Sequence, residues 1–178
     1  MAKVRTGKVR FAYCNIAQPR ALTEGQEPKY SICLIIPKDD ERTIAAINKA
    51  IKEAKEEGKA SKWGGKIPAN LKTPLRDGDA ERPDQPEFKN SYFINATSLR
   101  KPGVVDRQRN LIDNDEVYSG AYGRASLNLY PYSVGGNRGI AAGLNALQFL
   151  HDGEPLGGRV DPQSEFDEWE DDEDDLLG

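Results

Sequence analysis

The sequence predicts a mainly β fold, a small barrel of short strands with one helix. Three observations predict it. Apolar residues alternate at a spacing of two in several segments, turn residues recur at short intervals between them, and one segment holds a helical repeat. A doubly wound α/β sheet would need helices between most of its strands. The chain has 178 residues, and a body of about 150 buries a core without disulfide or metal support.

Residues 8–13 alternate, with Val9, Phe11 and Tyr13 on one side and Lys8, Arg10 and Ala12 on the other. This is a half-buried strand with both rings on its core face. From Pro19 to Pro28 the chain reads as a loop. Residues 30–36 form a short apolar run with Tyr30, Ile32, Leu34 and Ile36 on one face, a central strand. Asp39 or Asp40 then caps a helix carrying Ile44, Ile47, Ile51 and Ala54 at helical spacing, with Gly58 as its stop. Lys49, Lys52, Lys55 and Lys59 fit its solvated face.

Residues 58–90 are rich in Gly, Pro, Lys and Asp and read as a long irregular insertion, with Trp63 as its notable aromatic. Ser91–Ser98 returns to strand. There Tyr92 shares parity with Ile94 and Ala96, so Phe93 is expected to be exposed beside Asn95 and Thr97. Lys101-Pro102-Gly103 is a turn, and 104–114 reads as a loop bearing Arg107 and Arg109. Gly135-Gly136-Asn137 makes another turn. Residues 139–150 read as the next strand, although Ala141, Ala142, Leu144, Ala146 and Leu147 also fit a helix.

The net charge of −4 conceals a split. Residues 1–160 carry 25 basic and 19 acidic side chains, a net of +6, whereas 161–178 carry ten acids and no Lys or Arg. A basic body with an acidic appendage points to nucleic acid as partner, with a merely solubilising tail as the plainer account. Such a tail buries too little apolar area to fold alone, so residues 1–160 are expected to form the domain and 161–178 a disordered tail. Phe166, Trp169, Leu176 and Leu177, set among Asp171, Asp172, Asp174 and Asp175, give it anchors for a protein partner.

No apolar run is long enough to span a bilayer and no signal peptide opens the chain, so the default expectation is cytoplasmic. Cys14 and Cys33 are read as free thiols.

The chemistry concentrates in residues 116–132. By parity, Ala125, Leu127 and Leu129 face a core, and Tyr122, Arg124, Ser126, Asn128, Tyr130 and Tyr132 face outward. Exposed tyrosines beside cations suit single-stranded nucleic acid, because bases stack on the rings while cations track phosphates. The plainer reading has the rings covering a second core. Tyr118 joins that face if Gly120 and Gly123 introduce no bulge. Lys8, Arg10, Lys101, Arg107 and Arg109 are the nearby cations, and Phe93 a further ring. Catalytic patterns are thin. His151 sits alone at a turn, and Asp113, Asp115 and Glu116, a conceivable magnesium site for a nuclease, lack a partner motif. Zinc, other metals and cofactors are not expected, since Cys14, Cys33 and His151 lack ligand spacing.

The segments KYSICLIIPKDD (29–40), SYFINATSLRKPGVVD (91–106) and the run beginning EVYSGAYGRASLNLYPY at residue 116 resemble a bacteriophage single-stranded-DNA-binding protein family. The resemblance covers most of the body. It implies a five-stranded OB-fold barrel, similar to the proteins of T7-like phages, and sequence-independent binding to single strands. It also implies no enzymatic activity, a role in phage DNA replication, recombination or repair, and an acidic tail; the tail's charge reads as a competitor with DNA for the basic face, open to replication or recombination proteins once displaced. Analogy admits a homodimer. The rival readings are a magnesium-dependent nuclease and a DNA-mimicking interaction protein.

Overall fold

The computed structural model describes residues 2–21, 24–156 and 169. Its strands are β1 (Ala2–Arg5), β2 (Val9–Arg20), β3 (Lys29–Pro37), β4 (Arg76–Asp77), β5 (Ser91–Ser98), β6 (Gly103–Val105), β7 (Tyr122–Val134) and β8 (Asn137–His151). The helices are α1 (Glu41–Ser61) and the single turn α2 (Gly78–Glu81).

The alternation read from the sequence becomes a closed barrel. β2 pairs with β3, β3 with β5, β5 with β8, β8 with β7, and β7 again with β2. Four of these pairings are antiparallel, and β5–β8 is parallel. Five strands thus close on themselves in an OB-like barrel. β1, β4 and β6 add to its rim, on β7, β5 and β8 respectively. Phe11, Leu34, Ile36, Ile94, Leu127 and Leu129 fill the interior and are almost wholly shielded. The 139–150 segment is strand, so its apolar spacing serves a sheet.

The helix falls between the second and third strands of the barrel circuit. Asp40 caps it, accepting from the Thr43 amide at 3.2 Å and from the Thr43 hydroxyl at 2.6 Å. Ile47, Ala50, Ile51 and Ala54 bury one stripe against the core. Gly58 does not stop it. The helix runs on to Ser61, and Gly58 instead admits the Trp63 ring, which would lie 2.6 Å from a Cβ built there. Trp63 is buried, and its indole donates to the Tyr132 carbonyl at 3.1 Å.

Three expectations need correction. First, the 58–90 segment is organised. It contains β4, α2 and a 3-10 turn at Pro86–Phe88, and it brings Phe88 down onto the outside of the barrel. Second, Phe93 points away from the barrel interior as parity requires, yet it is buried. Phe88 meets it edge-on at 5.2 Å, and Ala12, Cys33 and Ile35 complete this second small core. A ring so covered has no face for a base. Third, Tyr13 leaves the core face. The β2–β3 register shifts between Ala12 and Asn15, and Tyr13 adopts φ 47°, which turns its ring outward. In addition, part of the expected 104–114 loop is strand β6.

The covering segment is pinned by Lys38. Its ammonium lies 2.8 Å from Asp77 and 2.9 Å from Asp79. Those hydrogen bonds hold both carboxyls below their usual range and push the ammonium above its own.

Candidate nucleic-acid interface

Aromatic and basic groups come together on more than one surface. The first is the outward face of β7, in the parity expected. Ala125, Leu127 and Leu129 are buried, and Tyr122, Arg124, Ser126, Asn128, Tyr130 and Tyr132 are half-buried. At its start Tyr122 stacks on His151 at 4.7 Å, with the Lys8 ammonium 5.7 Å and the Arg10 guanidinium 5.4 Å from its ring centre. Arg10 is anchored, donating to the carbonyls of Gly120 and Glu154. Arg124 is also committed, to the Thr6 carbonyl at 2.9 Å. Farther along, small residues on β8 face the tyrosines: Ala141 pairs with Tyr130, and Gly139 with Tyr132. The Tyr132 ring leans over Gly139, where a Cβ would meet its hydroxyl at 2.7 Å. Part of this aromatic face therefore serves as cover for β8.

The second surface is a groove of about 840 Å³ across β2, β3 and β5. Tyr13, Asn15 and Arg20 from β2, Ser31 from β3, Asn95 from β5, Arg82 from the covering segment and Tyr118 from the turn before β7 line it. The bulge that expels Tyr13 leaves its ring 51% exposed. Its hydroxyl donates to Gln85 at 2.9 Å, and Arg82 lies over the ring at 5.6 Å. Arg82 is also held over Phe88 at 5.3 Å and Phe93 at 5.2 Å, and it joins none of the ion pairs among the described residues. The groove thus presents a propped tyrosine beside a guanidinium that is fixed and stands outside the ion pairs of the described residues. Asp115 stands among its lining residues.

Cys14 and Cys33 also line the groove. Burial pushes Cys14 up to about 11, opposed by a hydrogen bond with Ser119, and Cys33 up to about 12. Both stay protonated at neutral pH, where a thiol is a poor nucleophile. Asp113 caps a 3-10 turn at Asn114–Glu116, accepting from the Asp115 amide, so its carboxylate has a local structural task. No three His, Cys, Asp or Glu side chains converge to hold a metal among the described residues.

The expected site residues separate into groups. Lys8, Arg10 and Tyr122 come together, as described. Tyr118 adjoins them through the 151–154 segment, donating to Asp152 at 2.8 Å, and it also faces the groove. Lys101 and Tyr130 line a separate hollow. Arg107 and Arg109 project from a turn held by Asp106, whose carboxylate accepts from the Gln108 and Asn110 amides. Phe93 is withdrawn by its burial. Sequence reasoning left out Arg20 and Arg82 and set Tyr13 in the core, whereas it placed Asn95 on the outward side beside Phe93, where the groove has it. A bulge has no clear sequence signal at Tyr13, and Arg82 sits in a segment that reads as irregular. Of the tail residues only Trp169 is described, and it is exposed. Phe166, Asp171, Asp172, Asp174, Asp175, Leu176 and Leu177 lie outside the described residues.

A family model described as the single-stranded-DNA-binding protein of Enterobacter phage Enc34 matches residues 2–177. The chain belongs to that family. The match runs through the acidic segment as well as the barrel. The solved single-stranded-DNA-binding protein from bacteriophage Enc34, in complex with single-stranded DNA, is 26% identical with a TM-score of 0.78, covering 88% of this chain and 90% of that one. A protein called putative protein p50, from Acyrthosiphon pisum secondary endosymbiont phage 1, is 29% identical over 178 residues, 93% of each chain. The single-stranded-DNA-binding protein gp2.5 of bacteriophage T7 is 17% identical with a TM-score of 0.60, covering 90% of this chain and 98% of that one, a likeness of fold.

Proposed function

We propose that this member of the Enc34 family binds single-stranded DNA without sequence preference, laying the strand along the β2–β3–β5 groove. The observation that carries this reading is Tyr13. A half-exposed ring held in a left-handed backbone conformation costs about 1–3 kcal/mol, and such outliers persist where the strained geometry has a use. Tyr13 stacks a base, Arg82 and Arg20 meet phosphates, and the amides of Asn15 and Asn95 reach sugars or phosphates. Contacts of this kind read no sequence. Lys8, Arg10 and Tyr122 adjoin the groove by way of the 118–120 turn and extend the basic surface. Titrating oligo-dT against the full chain by fluorescence anisotropy at several salt concentrations tests this. The affinity falls with salt at a slope of about −0.7 per phosphate contacted. A salt-independent affinity, or none, defeats the reading.

The acidic segment acts on the same groove. The last continuously described residues pack back across the barrel, with the Leu156 amide donating to the Ser119 carbonyl at 2.9 Å, and Leu156 itself lines the groove. The described chain therefore reaches the groove's edge at Leu156, five residues before Asp161 in sequence. A tethered segment competes at an effective concentration in the millimolar range. DNA displaces it and frees Phe166, Trp169 and their acidic neighbours for replication or recombination proteins of the phage in its host. Residues 1–160 then bind oligo-dT more tightly than the full chain. Equal affinity removes the competition.

A further inference from the structure

A second hollow, of about 530 Å³, opens farther along β3 and β5. Lys29, Arg100 and Lys101 line it together with Tyr130, Thr97 and Asn145, and no carboxylate does. The three cations are exposed, and none is ion-paired among the described residues. It follows on from the groove by strand register. Ser31, which lines the groove, pairs with Thr97, which lines the hollow, and Lys29 lies two residues before Ser31. Tyr130 supplies a ring whose near edge rests over Gly143, where an added Cβ would sit 3.4 Å away. The hollow thus shares with the groove a tyrosine ring, cations outside the ion pairs of the described residues, and amide or hydroxyl groups between them, and it lacks the groove's carboxylate.

We propose that the Lys29–Arg100–Lys101–Tyr130 hollow is a second subsite for single-stranded nucleic acid, entered by the same strand as it leaves the groove over Ser31 and Thr97. The inference rests on the groove reading above. An acidic peptide is the other polyanion that would fit three cations. The nucleic acid is favoured because the hollow carries a stacking ring and is continuous with a longer track. Joining two subsites on one flexible ligand raises affinity through effective concentration, with a gain that depends on ligand length.

The experiment compares the full chain with its Lys29→Gln/Arg100→Gln/Lys101→Gln variant, and separately with Tyr130→Ala, using two probes. One is oligo-dT of about six nucleotides, near the low end of what one OB groove holds, and the other is about sixteen. The triple variant binds the short probe as the parent does. With the long probe its salt slope is shallower by about 2, as expected for three lost phosphate contacts at about 0.7 each. Tyr130→Ala weakens the long probe by about 5- to 140-fold, the loss of one stacked base, and leaves the short one unchanged. An unchanged slope with the long probe overturns the inference while the parent's binding leaves the groove reading intact. A loss equal for both probes also overturns it, since the cations would then act as a general field. If the triple variant instead loses only inhibition by an added peptide of residues 161–178, the hollow is a site for acidic peptide and the inference fails. No binding of either probe by the parent refutes the groove reading itself.

Discussion

Replacing Tyr13 with glycine separates the use of the ring from its structural cost. Tyr13 sits at φ 47°, a region that a glycine enters freely and an L side chain at a cost of about 1–2 kcal/mol. Tyr13→Gly recovers that strain. It gives up one exposed hydrogen bond to Gln85, worth about 0.5–1.5 kcal/mol, and the contact with Arg82, worth about 0.5–1. The gains and losses nearly cancel, and the stability change stays within about 1 kcal/mol. For a chain of this size that moves Tm by about 2–4 °C. Binding has no such compensation. One stacked base is worth about 1–3 kcal/mol, so Kd for oligo-dT rises about 5- to 140-fold. A thermal melt and an anisotropy titration on one preparation give both numbers. Unchanged affinity with unchanged Tm refutes the platform role. A fall in Tm of more than about 8 °C, twice the upper figure above, shows that the ring holds the fold and that the exposure argument is wrong.

Other perturbations follow from the same geometry. Arg82→Gln makes the salt slope for oligo-dT shallower by about 0.7, because one phosphate partner is lost. Gly58→Ala, despite alanine's better helix propensity, destabilises by about 1–3 kcal/mol in chemical denaturation, since the Trp63 ring and the Pro131 Cβ, at 2.6 and 2.7 Å, must both give way. The Lys38 pairing has a definite pH window. Asp77 and Asp79 are held below their usual range, so their contribution is present above about pH 4 and lost as pH falls through their lowered values. Lys38 is raised, so its contribution is present below about pH 10 and lost as pH rises through its raised value. Exchange of the Asn90 amide, which donates to Asp79 at 3.0 Å, is flat between pH 6 and 8 after correction for intrinsic rates and rises below about pH 4.

Much of the barrel was legible because its strands obey a period of two with an apolar inner face. Phe11, Leu34, Ile94 and Leu127 all lie where parity puts them. The helix was legible from Asp40 and its isoleucines, and its end was not. Gly58 carries the same letter whether it terminates a helix or makes room for an indole arriving from five residues on. Phe93 shows a limit of a different kind. Parity tells which side of a strand a ring takes and says nothing of what later covers that side; the cover comes from Phe88, in a segment without periodicity. Tyr13 was misplaced because one extra residue between Ala12 and Asn15 inverts the parity of β2 up to the next register shift, after Asn15. The groove depends on both of these features. The β7 tyrosines were visible in the sequence, and the groove across β2, β3 and β5 was not.

Two joints in the circuit of strands are short, β2–β7 and β5–β8, with two residue pairs each. β5 and β8 meet in parallel through only two residue pairs, Ala96 with Ala142 and Thr97 with Gly143, whereas β3 and β5 meet through eight. Local opening draws on regions with few such bonds, and the β5–β8 seam is one of the two such places in the barrel. Thr97 lies on the seam, and Tyr130 rests over Gly143 beside it. A strand of nucleic acid laid there spans both edges and closes the joint as a staple would. Occupancy then reads out as slowed exchange of the Ala142 and Gly143 amides, and the ligand becomes the clasp of the barrel that carries it.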